Sequence, residues 1–483
     1  LKKAIIIGSG IGGLASATRL AAKGYEVTVY EKNAYLGGKV TEVKGNGFRF
    51  DAGPSVFTLP QLVKELLALS KEQIDFEYQK LPVVTKYFWE DGTVLNAFAD
   101  NELFKKEIVE KLGESNESIE KSLAKSELIY NLTKEVFLES SLHKLKTYTT
   151  LSAWKALLQI YRINAFKSLH YYNNKRFANE KTVQLFDRFA TYNGSNPFEA
   201  PGTLGVIPHL EHSIGAFVPK GGMHSITKTL VKIAKSWNVQ FKTNTKVESI
   251  KVEDKKAKGV VVNGEFKAAD VVVSNMDVNF LYPQLLAKEK HPKKILDQPK
   301  SSSALIFYWG MNKTFAELDV HNIFFSKDYK REFDCLFKEL TFSDDLTVYL
   351  YISSKFNEGD APKGKENWFV MVNAPHNNGQ NWDALIRKVK ASIVKKLSKQ
   401  MNCELSEYIE FEEILSPPDI ESKTFSHKGS LYGSSSNNMM AAFLRHPNFS
   451  RKINNLFYVG GSVHPGGGIP LCLLGAKIVD GLT

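Results

Sequence analysis

Cysteine is scarce: Cys335, Cys403 and Cys472 are the only three in 483 residues. They stand far apart, with neither the Cys-x-x-Cys spacing of a redox pair nor a His-rich neighbourhood. A disulfide scaffold and a cysteine-ligated metal are excluded, and a reducing cytosolic compartment fits. Long apolar runs are missing as well. A spanning helix needs roughly 20 apolar residues, yet even the run 304–309 is bounded by Ser301, Ser302, Ser303 and Gly310. Contact with a membrane is therefore expected from one side only. The strand expected from Ala4 leaves no room ahead of it for a charged leader with a cleavable apolar segment, so export by that route is not expected. No nucleic-acid motif, internal repeat, metal cluster, Ser/His/Asp arrangement or paired-carboxylate arrangement is evident.

What is present is a balanced composition, 43% hydrophobic and 24% charged, enough for two or three compact modules around a sizeable core. The net charge of +11 is compatible with nucleic acid, anionic lipid or a Lys-rich soluble surface, and alone it decides nothing.

The first chemistry-bearing motif is N-terminal. Ala4, Ile5, Ile6 and Ile7 form a short branched run leading into Gly8-Ser9-Gly10-Ile11-Gly12-Gly13 and then a small-residue helical stretch, 14–23. In this strand, turn and helix, Gly8 permits the tight turn and Gly10 lets backbone N–H groups approach a pyrophosphate. Gly13 allows the helix to pack closely on the strand, and the helix offers its positive end to phosphate. Gly24 stops the helix, and 26–30 reads as a second parallel strand ending at Glu31, followed by Lys32. Glu31 lies about 20 residues past the glycines, where a carboxylate can accept bonds from ribose hydroxyls. An acid at this position disfavours a 2′-phosphate, which leaves FAD or NAD.

Gly37-Gly38-Lys39 and the later Asp51-Ala52-Gly53-Pro54-Ser55 resemble the second fingerprint of the flavoprotein amine oxidase and carotenoid desaturase superfamily, and that resemblance implies FAD. Lys39 stands where Arg is commoner; it keeps a cation near phosphate but loses the bidentate geometry. Phe217 to Met223, the helical pattern after it and the run 241–247 resemble the segment that rejoins the nucleotide domain, in which the residue matching Val247 brackets the adenine with its main chain. The run 251–262 reads as a hairpin and 269–275 as another returning strand.

The last segment is the most specific. Asn455 to Val459 is an apolar strand, Gly460 and Gly461 end it, and Ser462 to Gly468 form a glycine and proline loop before a helix starting near Ile469 and Pro470. It resembles the C-terminal signature of bacterial-type phytoene desaturases and their relatives, where the loop holds the flavin ring and ribityl chain. Glycines suit that task because side chains would block a planar ring. His464 is read as a loop histidine bonded to backbone.

Segments 192–197, 431–433 and 443–447 resemble the 1-hydroxycarotenoid 3,4-desaturase branch. The resemblance implies an α/β fold: a Rossmann-like FAD-binding domain of the two-motif type, drawn from 1–90, 215–284 and 421–483. A helical, membrane-facing region (91–214) and a sheet-containing substrate domain (285–420) complete it. It also implies an FAD-dependent oxidoreductase that introduces a C=C bond into an acyclic or monocyclic carotenoid by hydride transfer to flavin. A phytoene desaturase, a carotenoid isomerase or a terminal oxidase would carry the same cofactor motifs. An amine oxidase would differ in the C-terminal loop, and a prenyl-binding escort protein would lack a working flavin site. Oxygen, quinone and nicotinamide all stay open as electron acceptor, and no catalytic residue is named.

Strands at 304–309, 347–352 and 368–372 are expected either to wall an apolar tunnel or to fill an ordinary core, and 383–401 to form an amphipathic helix. Between His143 and Phe177 aromatic residues interleave with cations. This suits either a helix at a lipid interface or a basic solvated face over a buried aromatic stripe. A substrate confined to the bilayer favours the former, and with it a peripheral position on the cytoplasmic membrane.

Overall fold

Five short segments, far apart in the chain, converge on one parallel sheet. In chain order they are β1 (Lys3–Ile7), β2 (Glu26–Tyr30), β3 (Gln240–Lys242), β4 (Val271–Ser274) and β5 (Leu456–Tyr458), and in space they run β5-β4-β1-β2-β3. A parallel sheet is covered on both faces, which is why Ile6, Val29, Val272 and Val273 are all fully buried. One face packs against α1 (Ile11–Ala22), α2 (His224–Ser236) and α3 (Ile469–Asp480). The other carries the antiparallel strands Val247–Glu253, Lys256–Val262 and Glu265–Ala268. The computed structural model describes residues 1–483, with the side chains of residues 152, 153, 156, 157 and 442 excepted.

A second sheet has seven strands, in the order Ile409–Leu415, Ser303–Met311, Glu366–Ala374, Val348–Tyr351, His321–Phe324, Val83–Phe88 and Val94–Phe98. The three strands read from the sequence in 304–372 are its centre, and every residue of Ser303–Met311 is buried. Helix Trp382–Met401 seals one face with Val389, Ile393 and Leu397.

Two expectations are corrected. Strand Val83–Phe88, inside the stretch 1–90 assigned to the cofactor domain, pairs instead with His321–Phe324 and Val94–Phe98 of the second sheet. It is buried on both faces, through Val84, Thr85, Tyr87 and Phe88, and the N–H and C=O groups along it find partners only there. The run 241–247, expected as the strand that follows the helix and rejoins the nucleotide domain, is also not one strand. It leaves β3 after Lys242 because Asn244 adopts a left-handed φ of 51°. The Asn244 N–H then donates to Asn33 O and the Thr245 N–H to Glu31 O, 3.0 and 2.8 Å. Val247 therefore starts a strand of the neighbouring sheet, just beyond the end of β2.

Candidate functional site

The ends of β1, β2 and β5 open into a cavity of about 1040 Å3 that runs from the glycine turn to the second sheet, large for a ligand site. Its first part is shaped by close approach. A Cβ on Gly13 would lie 2.2 Å from Gly8 O, and one on Gly10 would lie 2.5 Å from Asn275 Nδ2. Gly12 and Gly460 are equally closed, both against Asn275 Oδ1 at 2.9 and 2.8 Å. The Asn275 carboxamide, at the end of β4, thus wedges the two glycine turns together. Sequence reading missed its role, since an Asn closing a strand gives no signal beyond turn propensity.

Helix α1 begins at Gly10 with no side-chain cap and no acid in its first turn, so its first N–H groups and the positive helix end are left for an anion. Helix α3 is likewise uncapped at Gly468, with Ile469 and Pro470 opening its first turn. Both helix starts line the same cavity.

Glu31 ends β2, 6% exposed. The Ser9 N–H and Oγ–H donate to its Oε2 at 2.9 and 2.8 Å, and the Asn33 N–H donates to Oε1 at 2.9 Å. A carboxylate has about four acceptor positions, so roughly one stays free for a ribose hydroxyl. Lys32 lines the cavity, but its ammonium donates to Ser422 O at 3.0 Å and lies 3.3 Å from the Phe425 ring centroid. Val247, buried, borders the cavity beside Thr245 and Lys246.

Gly38, with φ of 61°, packs the second fingerprint on the glycine turn: a Cβ there would lie 3.2 Å from the Gly10 Cα. Lys39 donates to Leu431 O at 2.8 Å. Burial pulls its pKa down, opposed by Asp277 and Cys472, while burial pushes the Cys472 thiol up to about 11. This lysine is thus engaged by the 431–433 turn. Gly53 has φ of 114° and is closed against Lys39 O; Pro54 and Ser55 continue into the cavity wall, where Ser55 Oγ meets Tyr349 Oη at 2.6 Å. At the C-terminal loop Gly461 abuts Gly467, and the Tyr432 ring closes on Gly467, whose Cβ would lie 2.9 Å from it. His464 is turned away, its Nε2 donating to Ser140 O at 2.9 Å; burial takes it to a pKa of about 4. Pro, Gly and the two uncapped helix starts form a long cradle that accepts a dinucleotide with a planar head group, and these residues would hold FAD.

Beyond the cradle the wall turns apolar: Ala304, Ile306, Tyr308, Ile323, Met371 and Leu415 of the second sheet. Arg188, Tyr192 and Glu211 interrupt it. The Arg188 Nη2–H donates to Glu211 Oε1 at 2.8 Å, and the Tyr192 hydroxyl donates to Oε2. Burial alone would raise the Glu211 pKa, but Arg188, with His212 and Tyr192, outweighs it and the net shift is downward. His212, stacked on Phe104 with centroids 4.1 Å apart, is lowered by burial to about 4 and is neutral near pH 7. Sequence reading singled out 192–197 but not this cluster, because Arg188 and Glu211 are separated by 23 residues and meet only in the fold.

Comparison with known proteins agrees with this geometry. A family model described as flavin containing amine oxidoreductase matches residues 11–479. A 1-hydroxycarotenoid 3,4-desaturase of Flavobacterium sp. (strain P99-3) is 49% identical over 100% of this chain and 99% of its own length. A 4,4'-diapolycopene oxygenase of Methylomonas sp. is 30% identical over 99% and 97%. Among solved structures, an oxidoreductase from Methanosarcina mazei shares the fold, with a TM-score of 0.65, 15% identity and 99% of both chains covered.

Proposed function

Because the chain belongs to the flavin containing amine oxidoreductase family and is an FAD-dependent oxidoreductase, we propose that it introduces a C=C bond into a 1-hydroxylated carotenoid. The observation that carries this reading is the continuity of the cavity from the glycine cradle into the apolar wall of the second sheet; the full-length likeness to the Flavobacterium enzyme supports it. When bound, FAD supplies the two-electron acceptor for the hydrogens removed from the substrate. The chain's own part is positional. Ile306, Met371 and Leu415 hold an apolar chain and keep water out, and the glycines at 460 and 467 leave room for a ring against which one bond is aligned.

The test is anaerobic. Hydroxylated substrate in liposomes is expected to bleach the oxidised flavin absorption and to yield a product lighter by two hydrogens, with its own absorption moved to longer wavelength. Unchanged product mass would identify an isomerase, and a product that gains oxygen only when air is readmitted would identify an oxygenase like the Methylomonas relative.

The substrate must be collected from a bilayer, and residues 143–177 fit that task. Leu145, Leu151, Trp154, Leu158, Tyr161 and Phe166 are each more than half exposed, which argues against a buried aromatic stripe. Met439, Met440 and Leu444 add to the exposed apolar surface, and the loop carrying them is tied to the same region by the His143 Nε2 contact to Phe443 O at 3.3 Å and the Phe137–Phe443 ring contact. Among the described residues no helix is long and apolar enough to cross a membrane. An interfacial, one-sided attachment on the cytoplasmic face is the reading these residues favour. Neutralising Lys144, Lys146 and Lys155 is expected to weaken binding to anionic liposomes by roughly a hundredfold, at about 1 kcal/mol per cation near the surface. Replacing Leu151, Trp154 and Leu158 with serine is expected to weaken binding to neutral liposomes as well. Cosedimentation unchanged in both variants would remove the interfacial reading.

A further inference from the structure

An apolar substrate does not explain why the wall of its tunnel carries a buried ion pair. Replacing such a pair with apolar side chains of similar volume is often neutral or stabilising, so stability is a weak reason for Arg188 and Glu211 to be there. Their hydrogen bonding is also incomplete. Arg188 has five N–H donors, and its Nε–H finds no partner; nor does the Tyr329 hydroxyl, although both residues line the cavity. Buried polar groups without partners are few in native structures, and each calls for an explanation.

The position of the cluster supplies one. Tyr192 lies two residues before Gly194, whose Cβ would fall 2.7 Å from the Tyr432 ring, and that ring is the one closed on Gly467 of the flavin loop. From the other side, Tyr349 lines the same cavity and joins Ser55 of the second fingerprint. The charged cluster therefore borders the part of the cavity where substrate and flavin ring would meet.

We propose that Arg188, Tyr192 and Glu211, with Tyr329 as a further donor, are the specificity site for an alcohol hydroxyl at the reacting end of the substrate. This rests on the desaturase reading above. An alcohol oxygen accepts from the guanidinium or from Tyr329, and its proton is donated back to Tyr192 Oη or to the Glu211 carboxylate, so the unmet donors are satisfied by one group. The name of the Flavobacterium relative puts its hydroxyl on carbon 1 and its new double bond between carbons 3 and 4, two bonds apart. A site that fixes the hydroxyl next to the ring would select the bond in that register, and would do so without touching the rest of the polyene. An apolar tunnel alone discriminates poorly between chains that differ by a hydroxyl, whereas a site built to bond that hydroxyl rejects the chain lacking it.

The test uses the FAD-loaded enzyme and variants Tyr192→Phe, Tyr329→Phe and Arg188→Met, with hydroxylated and unhydroxylated chains of equal length. Two quantities are read: the ratio, between the two chains, of the second-order rate constant for single-turnover anaerobic bleaching, and the affinity for the desaturated hydroxylated product, which is not turned over, from the shift in its own absorption. The ratio is expected to fall at least about tenfold in each variant, and product affinity to fall with it. A structural role would lower both chains equally and leave the ratio in place, which would overturn the proposal. Should Arg188→Met fail to fold, Tyr329→Phe, which removes a hydroxyl with no partner, still decides the matter. Wild-type enzyme that oxidises both chains equally well would sink the specificity site and leave the desaturase reading standing, whereas wild type that oxidises neither would sink both.

Discussion

Gly13→Val is expected to purify without FAD. A Cβ at this position would stand 2.2 Å from Gly8 O, a backbone atom of the turn that the cofactor phosphates must approach, and two further methyls would lie beyond it. No flexible side chain is available to yield, as Asn275 could for a substitution at Gly10, so the start of α1 has to move off β1. Overpacking of this kind costs typically 1–3 kcal/mol, and here the displaced helix also withdraws the N–H groups left free for the anion. A loss of about 3 kcal/mol weakens cofactor affinity by more than about a hundredfold. The flavin-to-protein absorbance ratio after gel filtration checks it, beside Gly359→Ala, whose added Cβ meets nothing within 4 Å. Stoichiometric flavin in Gly13→Val would mean that the phosphates do not sit at the start of α1.

The glycine turn was legible because its residues are constrained locally: a strand, a tight turn and a helix start follow one another within 20 residues, and each glycine answers a backbone requirement that no other residue meets. The C-terminal loop was legible for the same reason. Asn275 was not, since what it does depends on Gly10, Gly12 and Gly460 arriving on it from two distant strands. The same holds for Arg188 and Glu211, where the sequence shows one arginine and one glutamate on separate segments and only packing reveals that they share hydrogen bonds. Apolar pattern placed the strands of the second sheet but not its membership: Val83–Phe88 is buried on both faces, and while one partner is the next strand, Val94–Phe98, the other lies more than 200 residues away. The aromatic and basic stretch admitted two readings because composition does not say which way a ring points. Its exposed leucines and Trp154 weigh against the buried stripe, and liposome binding is the measurement that chooses.

Acidification from pH 7 to pH 5 is expected to lower thermal stability steeply, and the buried imidazoles set the window. His212, His321, His446 and His464 are nearly or fully buried, and burial holds each at a pKa of about 4, against an ordinary value of 6.5. A group whose pKa is depressed in the folded state contributes stability that is complete above the unfolded value and is lost as pH falls towards the folded one. The loss therefore runs from about pH 6.5 down to about 4, and amounts to roughly 3 kcal/mol per histidine when complete. By pH 5 each has given up about 2 kcal/mol, so four together approach the 5–15 kcal/mol by which a typical domain is stable at all. Local bonding points the same way. The Nδ1–H of His446 donates to Pro447 O, which leaves Nε2 as the acceptor facing the Tyr282 hydroxyl at 2.8 Å, and protonation there removes that acceptor. The buried carboxyls of Asp187 and Glu332, both raised by burial, act with the opposite sign and offset part of the loss. Glu42, held near a pKa of 2 by Lys44 and Arg49 against its own burial, begins to cost stability only below its ordinary 4.5, so the interval from pH 6.5 to 5 belongs to the histidines. Scanning calorimetry of the FAD-loaded protein across that interval, repeated on His446→Gln, should show a steep fall in Tm for the wild type and a shallower one for the variant. A flat Tm between pH 7 and 5 would mean that these imidazoles take up protons without leaving the fold.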